Sequence, residues 1–159
     1  MRRTSMILST LGLLTALAPL ALAQDATPDV YSPSDLSAME QKLEQKAVKG
    51  LATETLKKYS TDYTILAFRS QSGQAELHDK FADFYVVVEG EAKLVSGGKI
   101  VNGASTAPGE TRGDSIQGGK ETSIKKGDIV HIPANIPHQL TLAKGDTIKY
   151  FVIKVQEVQ

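Results

Sequence analysis

Three histidines and two acidic residues are the side chains in this sequence best suited to chemistry. The histidines are His78, His131 and His138, and the chain has no cysteine. Glu76 and His78 are two residues apart on a predicted strand, so their side chains leave the same face, and Asp83 begins the next strand. His138 begins another predicted strand. The imidazoles of His78 and His138, together with one or two of these carboxylates on facing strands, suit Fe(II), Mn(II), Ni(II) or Zn(II). The pattern therefore predicts one site for a divalent metal.

Four further residues are candidates for contacting a substrate or moving a proton. His131 lies on a predicted strand over 129–132 and either faces the cavity as an acid–base group or faces solvent or a subunit interface. The other three candidates for catalytic residues are Tyr85, Glu110 and Arg112.

The elements that must position these residues are short strands preceded by a helix. Residues 24–33 are polar and contain prolines, which is typical of a linker. Apolar residues spaced three or four apart then predict a helix over 34–60. From residue 61 to residue 159 the pattern changes to some eight short strands separated by turns. This order predicts an all-β fold, an antiparallel sandwich or small barrel, with an N-terminal helix.

Residues 103–119 interrupt the strand pattern. The segment is long and rich in glycine, serine and threonine, and we expect it to form a loop. Long loops inside a compact domain are usually functional or disordered. Because it carries Glu110 and Arg112, it either reaches over the mouth of a pocket or forms a solvated flap.

The N-terminus has the pattern of a secretory signal. Arg2 and Arg3 precede an uncharged apolar stretch over 6–21, and the stretch leads into the small-x-small cleavage pattern of residues 21–23, Ala-Leu-Ala. We expect residues 1–23 to be removed after Ala23 and the mature protein to be exported, to a periplasm or to the medium, without a stable membrane anchor. An uncleaved N-terminal anchor is the alternative.

Composition excludes several classes of protein. The 159 residues include 18 basic and 18 acidic side chains, so no surplus of positive charge attracts nucleic acid. Aromatic residues make up 6% of the chain and tryptophan is absent, which argues against a stacking platform for single strands. The lack of cysteine excludes disulfides, thiolate metal sites and cysteine nucleophiles. No nucleophile elbow, phosphate loop or dinucleotide fingerprint is present.

Two segments resemble the motifs of the cupin family. Residues 76–83, ELHDKFAD, followed by Gly90, resemble the first cupin motif, in which His-x-His precedes an acidic residue and then a glycine at a strand turn. Residues 127–138, GDIVHIPANIPH, resemble the second motif, in which Gly and Asp precede an apolar strand, a proline, a tight turn and a histidine. The resemblance covers roughly residues 63–155. It implies a β-barrel of the double-stranded β-helix type, often dimeric, with a metal inside.

The resemblance also implies which residues hold the metal. By position, His78 and His138 match motif histidines, whereas Glu76 replaces the family's first histidine and Asp83 replaces its glutamate. The implied ligands are therefore Glu76, His78, Asp83 and His138. Asp83 is one methylene shorter than the family's residue, and Glu76 either reaches the metal or hydrogen-bonds to His78. A barrel that has lost its metal is the alternative.

Three functional hypotheses are open at this stage. The first is an exported, metal-dependent cupin enzyme that acts on a small oxygenated substrate by dioxygenase, isomerase or lyase chemistry. The second is a metal-free cupin that binds a small sugar or organic acid. The third is a structural protein that assembles through its N-terminal helix. The resemblance also implies a homodimer.

Overall fold

Antiparallel strands dominate the computed structural model, which describes residues 27–157 and contains one helix and twelve strands within that range. All of them belong to the compact unit Tyr31–Gln159. The elements are α1 (Pro33–Gln45), β1 (Leu51–Lys58), β2 (Asp62–Arg69), β3 (Ala75–His78), β4 (Phe81–Ser96), β5 (Lys99–Val101), β6 (Ala104–Ala107), β7 (Glu110–Gly113), β8 (Ser115–Gln117), β9 (Lys120–Lys125), β10 (Ile129–Ile132), β11 (His138–Thr141) and β12 (Ile148–Gln156). The predicted all-β antiparallel fold with an N-terminal helix is confirmed.

One long strand, β4, belongs to two sheets. Its first half pairs with β12 and β10 in a sheet ordered β1-β2-β12-β4-β10. Its second half pairs with β9 and β11 in a sheet ordered β9-β4-β11-β3-β7-β6. A strand that passes from one sheet to the other joins them at a corner, as in orthogonally packed sandwiches. The separate pair β5 and β8 completes the second half of the fold.

Gly90 lies at the corner of β4. Its φ is +80°, and a Cβ atom added there would collide with the carbonyl oxygen of Thr147. Ile148 pairs with Gly90, and the register between β12 and β4 shifts just after this point. Glycine tolerates both the positive φ and the close backbone approach. Strand β4 therefore passes from one sheet to the other at a glycine.

The sheet of β1, β2, β12, β4 and β10 is covered on its outer face by α1. Leu43 of the helix packs with Leu66 and Phe68 of β2 in a cluster of buried side chains. A capping box begins the helix, in which the Ser32 hydroxyl accepts from the Asp35 backbone N–H and the Asp35 carboxylate accepts from the Ser32 backbone N–H. The helix therefore protects one face of the sheet, and the opposite face lines the interior.

The prediction of a helix over 34–60 is wrong beyond Gln45. Lys49 and Gly50 both have positive φ values, which breaks the helical path, and residues 51–58 form strand β1. This strand pairs along its length with β2. The composition of residues 51–58 is compatible with either a helix or a strand. Pairing with β2 decides in favour of the strand. The β-sheet domain therefore begins at residue 51 and not at residue 61.

The prediction of a loop over 103–119 is also wrong. Three short strands, β6, β7 and β8, occupy most of it, and β7 pairs with β3 from Ala75 to His78. The segment is polar although it forms strands, because parts of these strands are exposed to solvent. All four residues of β6 are exposed.

The predicted signal at 1–23 and the first residues of the predicted linker at 24–33 lie outside the described residues. Between residues 27 and 157, no helix has the length and apolar character needed to cross a bilayer.

Candidate metal site

Side chains from both sheets line a cavity of about 260 Å³. The first sheet contributes β1, β2, β4 and β12, and the second contributes β3, β7 and β11. The polar residues that line it are Arg69, Glu76, His78, Asp83, Tyr85, Glu110, Arg112, His138, Tyr150 and Lys154, among others. Seven of the eight site residues expected from the sequence are in this list, and His131 is not.

The imidazoles of His78 and His138 lie side by side in the cavity. His78 ends β3 and His138 begins β11, and the two strands pair through Glu76 and His138. The ring centroids are 5.2 Å apart, and each histidine is 3% exposed. Two histidines 60 positions apart in the sequence therefore meet because their strands are neighbours.

Each imidazole has its Nδ1 atom occupied and its Nε2 atom without a hydrogen bond. Nδ1 of His138 donates to the carbonyl oxygen of Ile136 at 3.0 Å. Nδ1 of His78 lies 2.6 Å from Oε2 of Glu110. Both Nε2 atoms are buried and have no hydrogen-bond partner among the described residues. Donation from Nδ1 leaves the lone pair on Nε2, which is the arrangement of a histidine that binds a metal.

Two carboxylates complete the donor set. Oε2 of Glu76 lies 3.6 Å from Nε2 of His78. Oδ2 of Asp83 lies 3.6 Å from the same atom and 3.5 Å from Nε2 of His138. Two ligands that each bind a tetrahedral ion at about 2.1 Å lie about 3.4 Å apart. These spacings therefore fit a shared ion, and potential ligand atoms of Glu76, His78 and His138 all lie within 4.8 Å of one another.

Asp83 has two further contacts that the sequence did not suggest. Its Oδ1 lies 2.6 Å from Nζ of Lys154, and its Oδ2 accepts a hydrogen bond from the Tyr85 hydroxyl at 3.3 Å. Burial raises the pKa of Asp83, but the nearby His138 and the charge of Lys154 lower it by more. Asp83 is therefore a carboxylate held by a buried lysine.

The pKa of His78 is lowered from its ordinary value. Burial is the largest cause, and the charge of Lys154 acts in the same direction, while Asp83 and Glu110 oppose the shift. A lowered pKa favours the neutral imidazole at neutral pH, which is the form that binds metals.

Glu110 and Arg112 reach the donors from β7. The register of β3 with β7 places His78 opposite Glu110 and Glu76 opposite Arg112. NH1 of Arg112 donates to Oε1 of Glu76 at 3.0 Å, and Glu110 contacts His78 as described. The solvated-flap interpretation of residues 103–119 is therefore wrong for this part of the segment. Both side chains contact candidate ligands.

His131 does not reach the cavity. It is exposed, and its ring stacks on Phe84 with the centroids 4.3 Å apart. Its neighbour Ile132 is buried in the core, and adjacent side chains of a strand point to opposite faces. The alternation therefore places His131 on the outside, which corrects its inclusion among the candidate catalytic residues.

Sequence reasoning missed several polar residues of the cavity, including Lys154, Tyr150 and Arg69. Lys154 and Tyr150 lie on β12, and Arg69 ends β2. Nε of Arg69 donates to the Tyr150 hydroxyl at 2.9 Å. A signal for Lys154 exists, because it continues the period-two series of buried residues that starts at Ile148.

Comparison with known proteins gives structural neighbours but no relative in sequence. No family model matches the chain, and no match was found among curated proteins. A Klebsiella pneumoniae protein with a double-stranded beta-helix domain is 12% identical, with a TM-score of 0.56 over 81% of this chain and 90% of that one. TT1209 from Thermus thermophilus is 14% identical, with a TM-score of 0.53 over 74% of this chain and 93% of that one.

The DMSP lyase DddQ from Ruegeria pomeroyi is 13% identical, with a TM-score of 0.50 over 69% of this chain. The match spans about half of that enzyme, 49% of its length. These structural similarities establish the fold and leave the activity open. Together with the paired sheets joined by β4, the comparisons show that this chain has a double-stranded β-helix fold.

Proposed function

We propose that the protein binds one divalent metal ion through Glu76, His78, Asp83 and His138, and that it is an enzyme for a small oxygen-bearing molecule. The observation that carries the proposal is the pair of buried Nε2 atoms of His78 and His138, which have no hydrogen-bond partner within residues 27–157 and lie beside two carboxylates. Burial of a polar atom without a hydrogen-bond partner costs free energy. One metal ion bound to both Nε2 atoms would remove this cost.

The donor set limits the identity of the metal. Two imidazoles and two carboxylates suit Fe(II), Mn(II), Ni(II) or Zn(II). Such an ion acts as a Lewis acid, and iron also activates dioxygen. Dioxygenase, isomerase and lyase reactions are all compatible with this chemistry, and the DMSP lyase shows that the fold accommodates one of them.

The chain's own residues orient the donors and shape the cavity. Glu110 and the Ile136 carbonyl keep each Nε2 lone pair directed inward. Lys154 holds Asp83 through Oδ1, which leaves Oδ2 toward the imidazoles. The Tyr85 hydroxyl is a buried proton donor at the same carboxylate. Burial raises the pKa of Tyr85 well above its ordinary value, so the hydroxyl keeps its proton.

The test is metal stoichiometry in matched histidine variants. We expect the purified protein, reconstituted separately with Mn(II), Fe(II), Ni(II) and Zn(II), to retain close to one equivalent of at least one metal by plasma mass spectrometry. His78→Ala and His138→Ala should each abolish retention, because each removes a ligand. His131→Ala is the matched control and should retain the metal, since His131 is exposed on the outside. Retention of metal by both ligand variants, or by none of the proteins, would contradict the proposal.

A metal-free binding protein is the second candidate, and one observation favours it. Lys154 places a positive charge 2.6 Å from Oδ1 of Asp83, which neutralises this carboxylate without a metal. If this hypothesis holds, a small sugar or organic acid raises the melting temperature and EDTA leaves that rise unchanged. Loss of the rise on EDTA treatment supports the metal-dependent function.

Export is part of the proposal and rests on the sequence of residues 1–23. Expression of the full chain in a bacterial host should yield a mature protein that begins at Gln24 and is released by osmotic shock. Intact mass spectrometry of the released and cytosolic fractions checks the cleavage. The proposed homodimer is tested on the same sample by light scattering.

A further inference from the structure

The charged side chains that line the cavity balance one another without a metal. Three are acidic and three are basic, namely Glu76, Asp83, Glu110, Arg69, Arg112 and Lys154. Each of the three carboxylates already has a basic or imidazole partner within 3.0 Å. The protein therefore contributes no surplus negative charge to the cavity.

A divalent ion adds two positive charges to this balanced interior. Uncompensated charge in a poorly solvated site is costly. The carboxylates of the site are shared with Arg112 and Lys154, so they neutralise the ion only in part. We infer that the ligand taken beside the metal is itself an anion, a small organic acid whose carboxylate binds next to the ion and to the guanidinium of Arg112. This inference rests on the proposed metal site and names its substrate class.

Arg112 is the basic residue placed to meet such a ligand. Its side chain is 36% exposed, whereas those of Arg69 and Lys154 are 12% and 10% exposed. One of its five N–H groups is used by Glu76, and the remainder have no partner among residues 27–157. A guanidinium binds a carboxylate through two parallel hydrogen bonds.

Arg69 is less available than Arg112. Its Nε donates to Tyr150, and its NH2 lies 3.5 Å from Oε1 of Glu76. The cavity volume of about 260 Å³ lies below the roughly 300–1,000 Å³ of pockets for drug-sized ligands. An acid of a few carbon atoms therefore fits the space.

The experiment compares small acids with their neutral amides. The probes are acetate, lactate and malonate against acetamide, lactamide and malonamide, titrated by calorimetry into the mature protein loaded with whichever of Mn(II), Fe(II), Ni(II) and Zn(II) it retains. We expect at least one acid to bind 10-fold or more tightly than its amide. The EDTA-treated protein should bind that acid at least 10-fold more weakly. Metal content is measured before and after each titration.

Arg112→Gln protein, titrated with enough metal to hold one equivalent, should bind the acid 10-fold or more weakly. Lys93→Gln, which removes an exposed positive charge far along β4, is the control and should not change the affinity. Three results would overturn the inference while the metal site stands: amides that bind as well as their acids, an acid whose affinity is independent of the metal, or an Arg112→Gln protein that binds normally. Failure to take up any metal would instead refute the proposed function, and this inference with it.

Discussion

At the scale of single residues, the site is defined by which atom of each imidazole is occupied. Glu110 and a backbone carbonyl engage the two Nδ1 atoms, so both Nε2 atoms present lone pairs to the same space. Glu76 and Asp83 add oxygen donors at 3.5–3.6 Å. A residue that hydrogen-bonds to a metal-binding side chain fixes the orientation of that side chain. Its loss therefore weakens metal binding even though the residue itself does not contact the ion.

Glu110→Ala is expected to weaken metal affinity by about 10- to 100-fold. The substitution removes the acceptor that holds Nδ1 of His78, so the ring loses its orientation and its tautomer is no longer set. Competition with a metal-sensitive dye measures the affinity. Glu121→Ala, which removes an exposed carboxylate paired with Lys93, is the control and should leave it unchanged. Equal affinities in the two variants would show that Glu110 does not position His78.

At the scale of elements, α1 buries a carboxylate against the outer face of the sheet. Glu40 is 3% exposed, and its Oε1 atom has no hydrogen-bond partner in the described part of the chain. Burial raises the pKa of Glu40 from its ordinary 4.5, and the charge of Lys149 offsets part of this. The folded state therefore binds this proton more tightly than the unfolded state does. Its contribution to stability is greatest at low pH and is lost as pH rises from about 4.5 through the raised pKa.

Glu40→Met is expected to stabilise the protein at neutral pH by about 1–3 kcal/mol, because it removes a buried and unsatisfied carboxylate. It should also reduce the loss of stability between pH 4.5 and pH 7. Urea unfolding at the two pH values gives both quantities. Glu44→Met removes an exposed partner of Lys149 and should change the free energy of unfolding by less than about 1 kcal/mol. A destabilised Glu40→Met protein would mean that the carboxylate has a favourable partner.

At the scale of the whole molecule, the cavity exists because one strand serves two sheets. Before Gly90, strand β4 belongs to the first sheet and contributes Asp83 and Tyr85 to the cavity. After Gly90, it pairs with β11, which carries His138. The carboxylate on one sheet and the imidazoles on the other are thus linked through a single corner, and the geometry of the site depends on it.

Gly90→Ala is expected to destabilise the protein by about 3 kcal/mol or more, since it adds a collision with the Thr147 carbonyl to an unfavourable positive φ. Gly127→Ala is the matched control. Gly127 also has a positive φ, at +91°, but a Cβ atom there meets nothing within 4 Å, so we expect a cost of about 1–2 kcal/mol. Thermal or urea unfolding compares the two variants. Similar costs would show that the corner relaxes without difficulty.

The sequence by itself determined the strand-rich fold and the two cupin-like motifs, with His78 in the first and His138 in the second. These features depend on local signals: period-two alternation, turn residues, and histidines at fixed offsets from glycine and proline. Local signals were insufficient for residues 51–58 and 103–119, which are strands because β2 and β3 lie beside them.

Tertiary structure alone decided the surroundings of the donors. Lys154 reaches Asp83 from a strand 71 positions later in the sequence, and Arg69 and Arg112 converge on Glu76 from two different sheets. It also placed His131 outside, because the packing of β10 buries Ile132 and leaves His131 on the opposite face. A motif specifies residues that are close in sequence, whereas the charge balance of a cavity depends on side chains that meet only when distant strands pack together.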